Sequence, residues 1–203
     1  MAKHVVKPLP YANDGLKGIG AKTIEIHHDK LYAGYVAKRN EIEETLTKVD
    51  RSKANQTYSE MRGLKHEESF AANGMILHDV YFAVMGGDGQ QTGEIIDKIK
   101  EDFGTLAAWE EDFKAGAMCA RGWVILAYDP SDGRLHNYIC DAQNQGGIWG
   151  ATPLLPCDTY EHSYFIDFGS DRKAYVEAFF RNIKWAEVNR RYLAVANLAT
   201  AKK

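Results

Sequence analysis

Apolar residues recur at helical intervals along most of the chain and give way to strand-like runs only once. From about Thr23 to Val49, Ile24, Leu31, Val36, Ile42 and Leu46 are spaced for one face of a long helix, with Thr23 available as an N-cap. A second run, from about Glu67 to Met85, gathers Phe70, Met75, Leu77, Tyr81 and Val84 and stops at Gly86-Gly87. Two long helices joined by the polar stretch 50–64 predict an αα-hairpin. Ahead of them, residues 1–19 carry Pro8, Pro10, Gly15 and Gly18 and read as a turn-rich arm packed on the first helix.

Past Gly86-Gly87-Asp88-Gly89 the pattern changes. Segments 92–102 and 105–120 are shorter helices, each opened by a threonine. GWVILAYD (122–129) and RLHNYICD (134–141) flank the turn sequence Pro130-Ser131-Asp132-Gly133 and predict a β-hairpin, to which 153–158 adds a third strand. Segments 171–184 and 186–198 return to helical spacing. The expectation is an α+β fold: an N-terminal long α-hairpin domain over 1–88, and a C-terminal mixed domain over 89–203 with a small three-stranded antiparallel sheet flanked by helices.

The 203 residues, 45% hydrophobic and 26% charged, suffice for a core without covalent staples. A net charge of −3 gives no general attraction to nucleic acid or to an anionic membrane, and neither is expected as a partner. Cys119, Cys140 and Cys157 form no C-x-x-C pair, which suits buried thiols in a reducing compartment. MAKHVVKPLPY lacks the apolar segment of a signal peptide, so a cytoplasmic location is expected.

Three of the seven histidines sit in apolar company. His27 shares a helical face with Leu31 and Tyr35, and taken alone fits either a satisfied core imidazole or a metal ligand. His78 lies among Leu77, Val80 and Phe82, one turn after Gly74. A mid-helix glycine costs about 0.8–1.0 kcal/mol relative to alanine, so close packing of another segment is expected there. In PCDTYEHSYFIDF, Asp158, Glu161 and His162 stand among aromatics, where an uncompensated carboxylate would be desolvated. An ion pair would relieve that, and so would a metal bound by Asp158 and His162. Three imidazoles and one carboxylate suit Mn, Fe or Zn and leave coordination space for a small substrate.

In this order, HHDKLYAGYV, ANGMILHDVYF, GWVILAYD and DTYEHSYF, with LPY near the start and NIKWAEVNRRY near the end, resemble the iron/manganese superoxide dismutase family over nearly the whole chain. The resemblance implies dismutation of superoxide to dioxygen and hydrogen peroxide, by alternate reduction and oxidation of one Mn or Fe ion per subunit. It implies His27, His78, Asp158 and His162 as metal ligands, Tyr35 at the substrate entrance, Trp123 as an aromatic wall and Arg172 as a guide for the anion. It also implies Glu161 as the partner of a ligand histidine across a homodimer, with a tetramer as the further option. In this family a glutamine tunes the redox potential. Iron forms place it four residues before the second ligand, where this chain has Gly74, whereas manganese forms bring it from the strand region. Gln143 is the preferred match, with Gln145 as competitor, and this favours Mn over Fe. The rival reading is a non-catalytic metal-binding member of the same fold.

Four departures from the family pattern stand out. Leu31 occupies the place of a second histidine, Phe165 that of a tyrosine paired with it across subunits, Tyr160 that of a tryptophan, and Pro156 is unusual. Losing both ends of a polar pair together avoids stranding one of them, which would cost about 1–3 kcal/mol. The entrance is therefore expected to be drier, with Tyr35 or Tyr32 standing in for the missing relay.

Overall fold

A computed structural model describes residues 3–200. The first two residues of the expected arm and the last three of the expected second domain lie outside that range. The chain begins as an extended arm laid on the first long helical segment, where the His4 N–H donates to Asn40 Oδ1 at 2.9 Å and Asn40 Nδ2 returns a bond to the His4 carbonyl at 2.9 Å. That segment is not one uniform helix: α1 (Ala21–Ile26) runs into a π-helical turn (His27–Tyr32) and then α2 (Ala33–Leu46). Thr23 does not cap it. Gly20 holds the N-cap position in extended backbone, and Thr23 lies buried inside the first turn.

The second hairpin helix, α3 (Glu60–Val84), starts a full two turns earlier than its apolar spacing predicts. Ser59 caps it, accepting from the Arg62 N–H at 3.2 Å. Its polar first turns need only Met61 and Leu64 to pack against the small cluster of Ile42, Leu46, Val49 and Ala71 between the helices. Helices α4 (Glu94–Phe103) and α5 (Leu106–Cys119) follow. Thr105 caps α5 as expected, but α4 opens on Gly93 at φ 97°, where the close approach of Asn189 leaves no room for a side chain.

The sheet is antiparallel with order β2-β1-β3, from β1 (Trp123–Asp129), β2 (Arg134–Cys140) and β3 (Thr152–Asp158). β1 is central and buried at every residue, which explains its unbroken apolar run. β3 is an edge strand and so tolerates Pro153 and Pro156, which cannot donate to a ladder. Short α6 (Phe165–Phe168), α7 (Arg172–Arg181) and α8 (Trp185–Thr200) complete the order. One apolar core runs from α3 through the sheet to α5 and α7. This is the α+β arrangement expected, a helical hairpin followed by helices around three antiparallel strands. No described helix is long and apolar enough to cross a membrane.

Candidate metal centre

Four side chains from four stretches of chain converge where the hairpin meets the sheet. His27 opens the π-helical turn, His78 lies in α3, Asp158 ends β3, and His162 sits in a 3₁₀ turn (Glu161–Ser163) directly after it. One ligand atom from each lies within 4.8 Å of the others. The His27, His162 and His78 Nε2 atoms stand 3.1, 3.0 and 3.5 Å from the same oxygen, Asp158 Oδ2. No other group of three or more His, Cys, Asp or Glu residues converges in this way among the described residues.

Local structure aims each ligand. The π-helical turn is the kind of local widening that re-aims side chains at functional sites, and His27, at its start, is wholly buried. His78 donates from Nδ1 to the Gly74 carbonyl at 2.6 Å, which puts the proton on that nitrogen and leaves the Nε2 lone pair facing Asp158. Asp158 Oδ1 accepts from the Tyr160 N–H at 2.9 Å, which leaves Oδ2 to face the imidazoles, and the Ser163 hydroxyl donates to the Asp158 backbone carbonyl at 2.9 Å. Sheet register sets Trp123 directly opposite Asp158. Its ring meets His78 edge-on with centroids 5.1 Å apart.

The electrostatics fit a cation. Burial alone would push the Asp158 carboxyl up, yet the His162 and His27 imidazoles around it hold it well below the usual carboxylate range. Burial drives His78 down to about 3 and lowers His27 as well, so both stay neutral and keep a lone pair for a metal. His162 is a quarter exposed, and although burial opposes it, the Asp158 charge carries its pKa above the ordinary value. His78 Nε2 is buried without a hydrogen-bond partner among the described residues. A buried polar atom without a partner is costly, and an ion among these four groups would satisfy it while neutralising Asp158. The donor set of three imidazole nitrogens and one carboxylate oxygen suits a first-row transition ion.

Around the ligands, Trp123 Nε1 donates to Gln143 Oε1 at 2.9 Å, and Gln143 Nε2 donates to the Tyr35 hydroxyl at 3.2 Å. The indole N–H can only donate, which fixes the orientation of the amide. Gln143 is buried and Gln145 exposed, so of the two glutamines only Gln143 joins this chain of bonds. The Tyr35 ring lies 5.2 Å from that of His78, and burial raises its pKa while the Gln143 bond pulls the other way. Gly74 makes the space for it: a Cβ there would stand 2.6 Å from Tyr35 Cδ1. Tyr35 and Leu31 line an apolar groove of about 610 Å³ between the hairpin helices, floored by Phe70 and Leu64.

Arg172 and Glu161 stand outside the Trp123–Gln143–Tyr35 chain of bonds. The Arg172 guanidinium donates to the Ala120 carbonyl at 2.8 Å and lies over the Tyr164 ring, and Glu161 is exposed on the rim beside His162. Tyr32 does not line the apolar groove. It is buried, and its hydroxyl donates to Asp79 and accepts from the Lys7 N–H. Tyr160 stacks on His162 with centroids 5.4 Å apart, filling the place against Gly122.

Comparison with known proteins agrees with this geometry. The domain described as iron/manganese superoxide dismutases, alpha-hairpin domain, matches residues 3–86, and the corresponding C-terminal domain matches 91–191. The chain is 44% identical over 198 residues to "Superoxide dismutase [Fe]" of Aquifex pyrophilus, covering 95% of this chain and 93% of that protein. It is 38% identical over 192 residues to "Superoxide dismutase [Fe]" of Cupriavidus metallidurans, covering 93% and 96%. Against "Superoxide dismutase [Mn] 1" of Halobacterium salinarum the identity is 35% over 196 residues, covering 95% and 96%. Two domain matches in the right order, relatives aligned along almost their full length and a buried ligand set of the matching chemistry together make this chain a member of the iron/manganese superoxide dismutase family.

Proposed function

We propose that the protein removes superoxide by dismutation at one ion held by His27, His78, Asp158 and His162. The observation that carries this reading is the meeting of three imidazole Nε2 atoms on Asp158 Oδ2, with Asp158, His27 and His78 fully buried. A bound Mn or Fe ion supplies reversible one-electron chemistry between its trivalent and divalent states, which dismutation requires and Zn does not offer. The protein's part is to orient and to protect. Gly74 and Asp158 aim the imidazoles, while Trp123, Tyr81 and Phe82 keep bulk water from them. Gln143 holds the Tyr35 hydroxyl, whose ring lies beside that of His78, and Tyr35 supplies a proton for peroxide formation. Arg172 adds positive charge that favours an anionic substrate.

Both Fe- and Mn-named relatives accompany this chain, and Gly74 with Gln143 favours Mn. The exposed apolar residues Phe165 and Ile166, beside Glu161 at the edge of the site, support a homodimer in which the second copy covers His162. Division of the chain at 88/89 and a cytoplasmic location belong to the same proposal. Leu31 beside Tyr35 keeps the groove between the hairpin helices drier, so proton delivery rests on Tyr35.

The test is to load the purified chain separately with Mn, Fe and Zn and follow superoxide decay. Mn or Fe protein is expected to remove superoxide, whereas Zn protein and Asp158→Asn should not. Metal binding without superoxide removal would establish the non-catalytic alternative instead.

A further inference from the structure

A set of polar contacts outside the ligands and the Tyr35–Gln143 pair ties together the two helices that carry His27 and His78. Asp79 follows His78 in α3, and its carboxylate accepts from the Tyr32 hydroxyl and pairs with Lys7 Nζ at 2.7 Å. Tyr32 ends the π-helical turn that His27 begins. Its hydroxyl also accepts from the Lys7 N–H at 3.0 Å, while the Lys7 carbonyl accepts from His28 Nε2 at 2.8 Å. Between these bonds the Tyr32 ring lies nearly parallel to the His78 imidazole, 16° apart in tilt and 6.2 Å between centroids. It is 1% exposed. Both carboxylate oxygens of Asp79 and both roles of the Tyr32 hydroxyl are occupied, so the Tyr32 side chain cannot swing away from His78 without breaking a charge-assisted bond.

We propose that Asp79 is a positioning residue for the metal centre: through Tyr32, and with Lys7 of the arm, it fixes the His78 imidazole and the spacing between the two helices that supply ligands. A retained ion and its ligand field then depend on a contact that touches no ligand atom. Partners beyond the ligand shell commonly change metal affinity about 10-fold or more when removed. The inference rests on the four-ligand reading above.

The experiment uses the full chain loaded with Mn(II), reading release to a chelator and the low-temperature electron paramagnetic resonance spectrum of the bound ion. Asp79→Ala and Tyr32→Phe are expected to release Mn about 10-fold faster than the parent, with a changed zero-field splitting. Asp79→Asn keeps an acceptor for Tyr32 and should fall between. Asp102→Asn is the control, because Asp102 accepts from the Leu135 N–H and pairs with Lys98 between α4 and β2, neither of which bears a ligand. It should lower thermal stability and leave both readouts unchanged. Parental release and spectrum in folded Asp79→Ala would overturn the proposal, as would equal acceleration in Asp102→Asn at a matched loss of stability. If Asp79→Ala does not fold, Asp79→Asn decides by the same criteria. Failure of the parent protein to bind Mn or Fe would instead overturn the four-ligand reading.

Discussion

Gly74 shows how much one absent side chain decides. Alanine there would gain about 0.8–1.0 kcal/mol in helix propensity, yet its Cβ would overlap the Tyr35 ring at 2.6 Å. Overpacking of this kind costs about 1–3 kcal/mol, so the clash wins. Gly74→Ala is predicted to lower the melting temperature and to slow superoxide removal, because Tyr35 must leave its bond with Gln143; thermal denaturation and a decay assay on the same sample check both. A second consequence concerns the thiols. Cys119 is exposed, Cys140 is buried with its pKa pushed up to about 11, and Cys157 is raised by burial and by the charge of Asp158. Only the thiolate reacts, so Ellman's reagent should find one thiol in the native chain at pH 8 and three after denaturation. The four residues that converge stand out in the sequence, since a histidine or carboxylate in apolar company demands compensation, but the choice of a metal over an ion pair comes only with the family resemblance. The Tyr32–Asp79 contact is not legible: Tyr32 stands out only as a stand-in for a relay and Asp79 not at all, because the two lie 47 residues apart.

At the scale of elements, apolar spacing finds all the long helices and all three strands, and it errs where polar groups set the ends. The early start of α3 and the glycine opening of α4 depend on Ser59 and Asn189, which periodicity does not weigh. The π-helical turn is hidden for a different reason: one extra residue rotates the later apolar positions by about 100° against the earlier ones, and with so few apolar residues on either side of His27–Tyr32 that offset is not read from spacing. The last helix carries a pH prediction. Hydrogen bonds from Arg190, together with Arg191, hold the Glu187 carboxyl below its ordinary value of 4.5. A depressed carboxyl contributes stability that is complete above its unfolded value and disappears as pH falls through the folded one. Arg190 is largely exposed, so solvent screening limits the gain to less than about 1 kcal/mol. Glu187→Gln should therefore melt below the parent protein at pH 7, with the gap closing under acid titration; a gap that persists or widens below pH 4 would contradict this reading of Glu187.

The whole molecule brings the hairpin and the sheet domain onto one core and sets the ligands where they meet. His27 and His78 come from the hairpin, Asp158 and His162 from the strand edge, and no ligand pair is close in sequence except the last. The site therefore exists only when both halves are folded and docked, and metal binding is linked to the global fold. Anomalous diffraction from crystals of the Mn- or Fe-loaded protein, collected at the absorption edge of the metal, tests this most directly. One strong peak per chain is expected, in contact with Nε2 of His27, His78 and His162 and with Oδ2 of Asp158. A peak elsewhere, or none between these four groups in fully loaded protein, would contradict it.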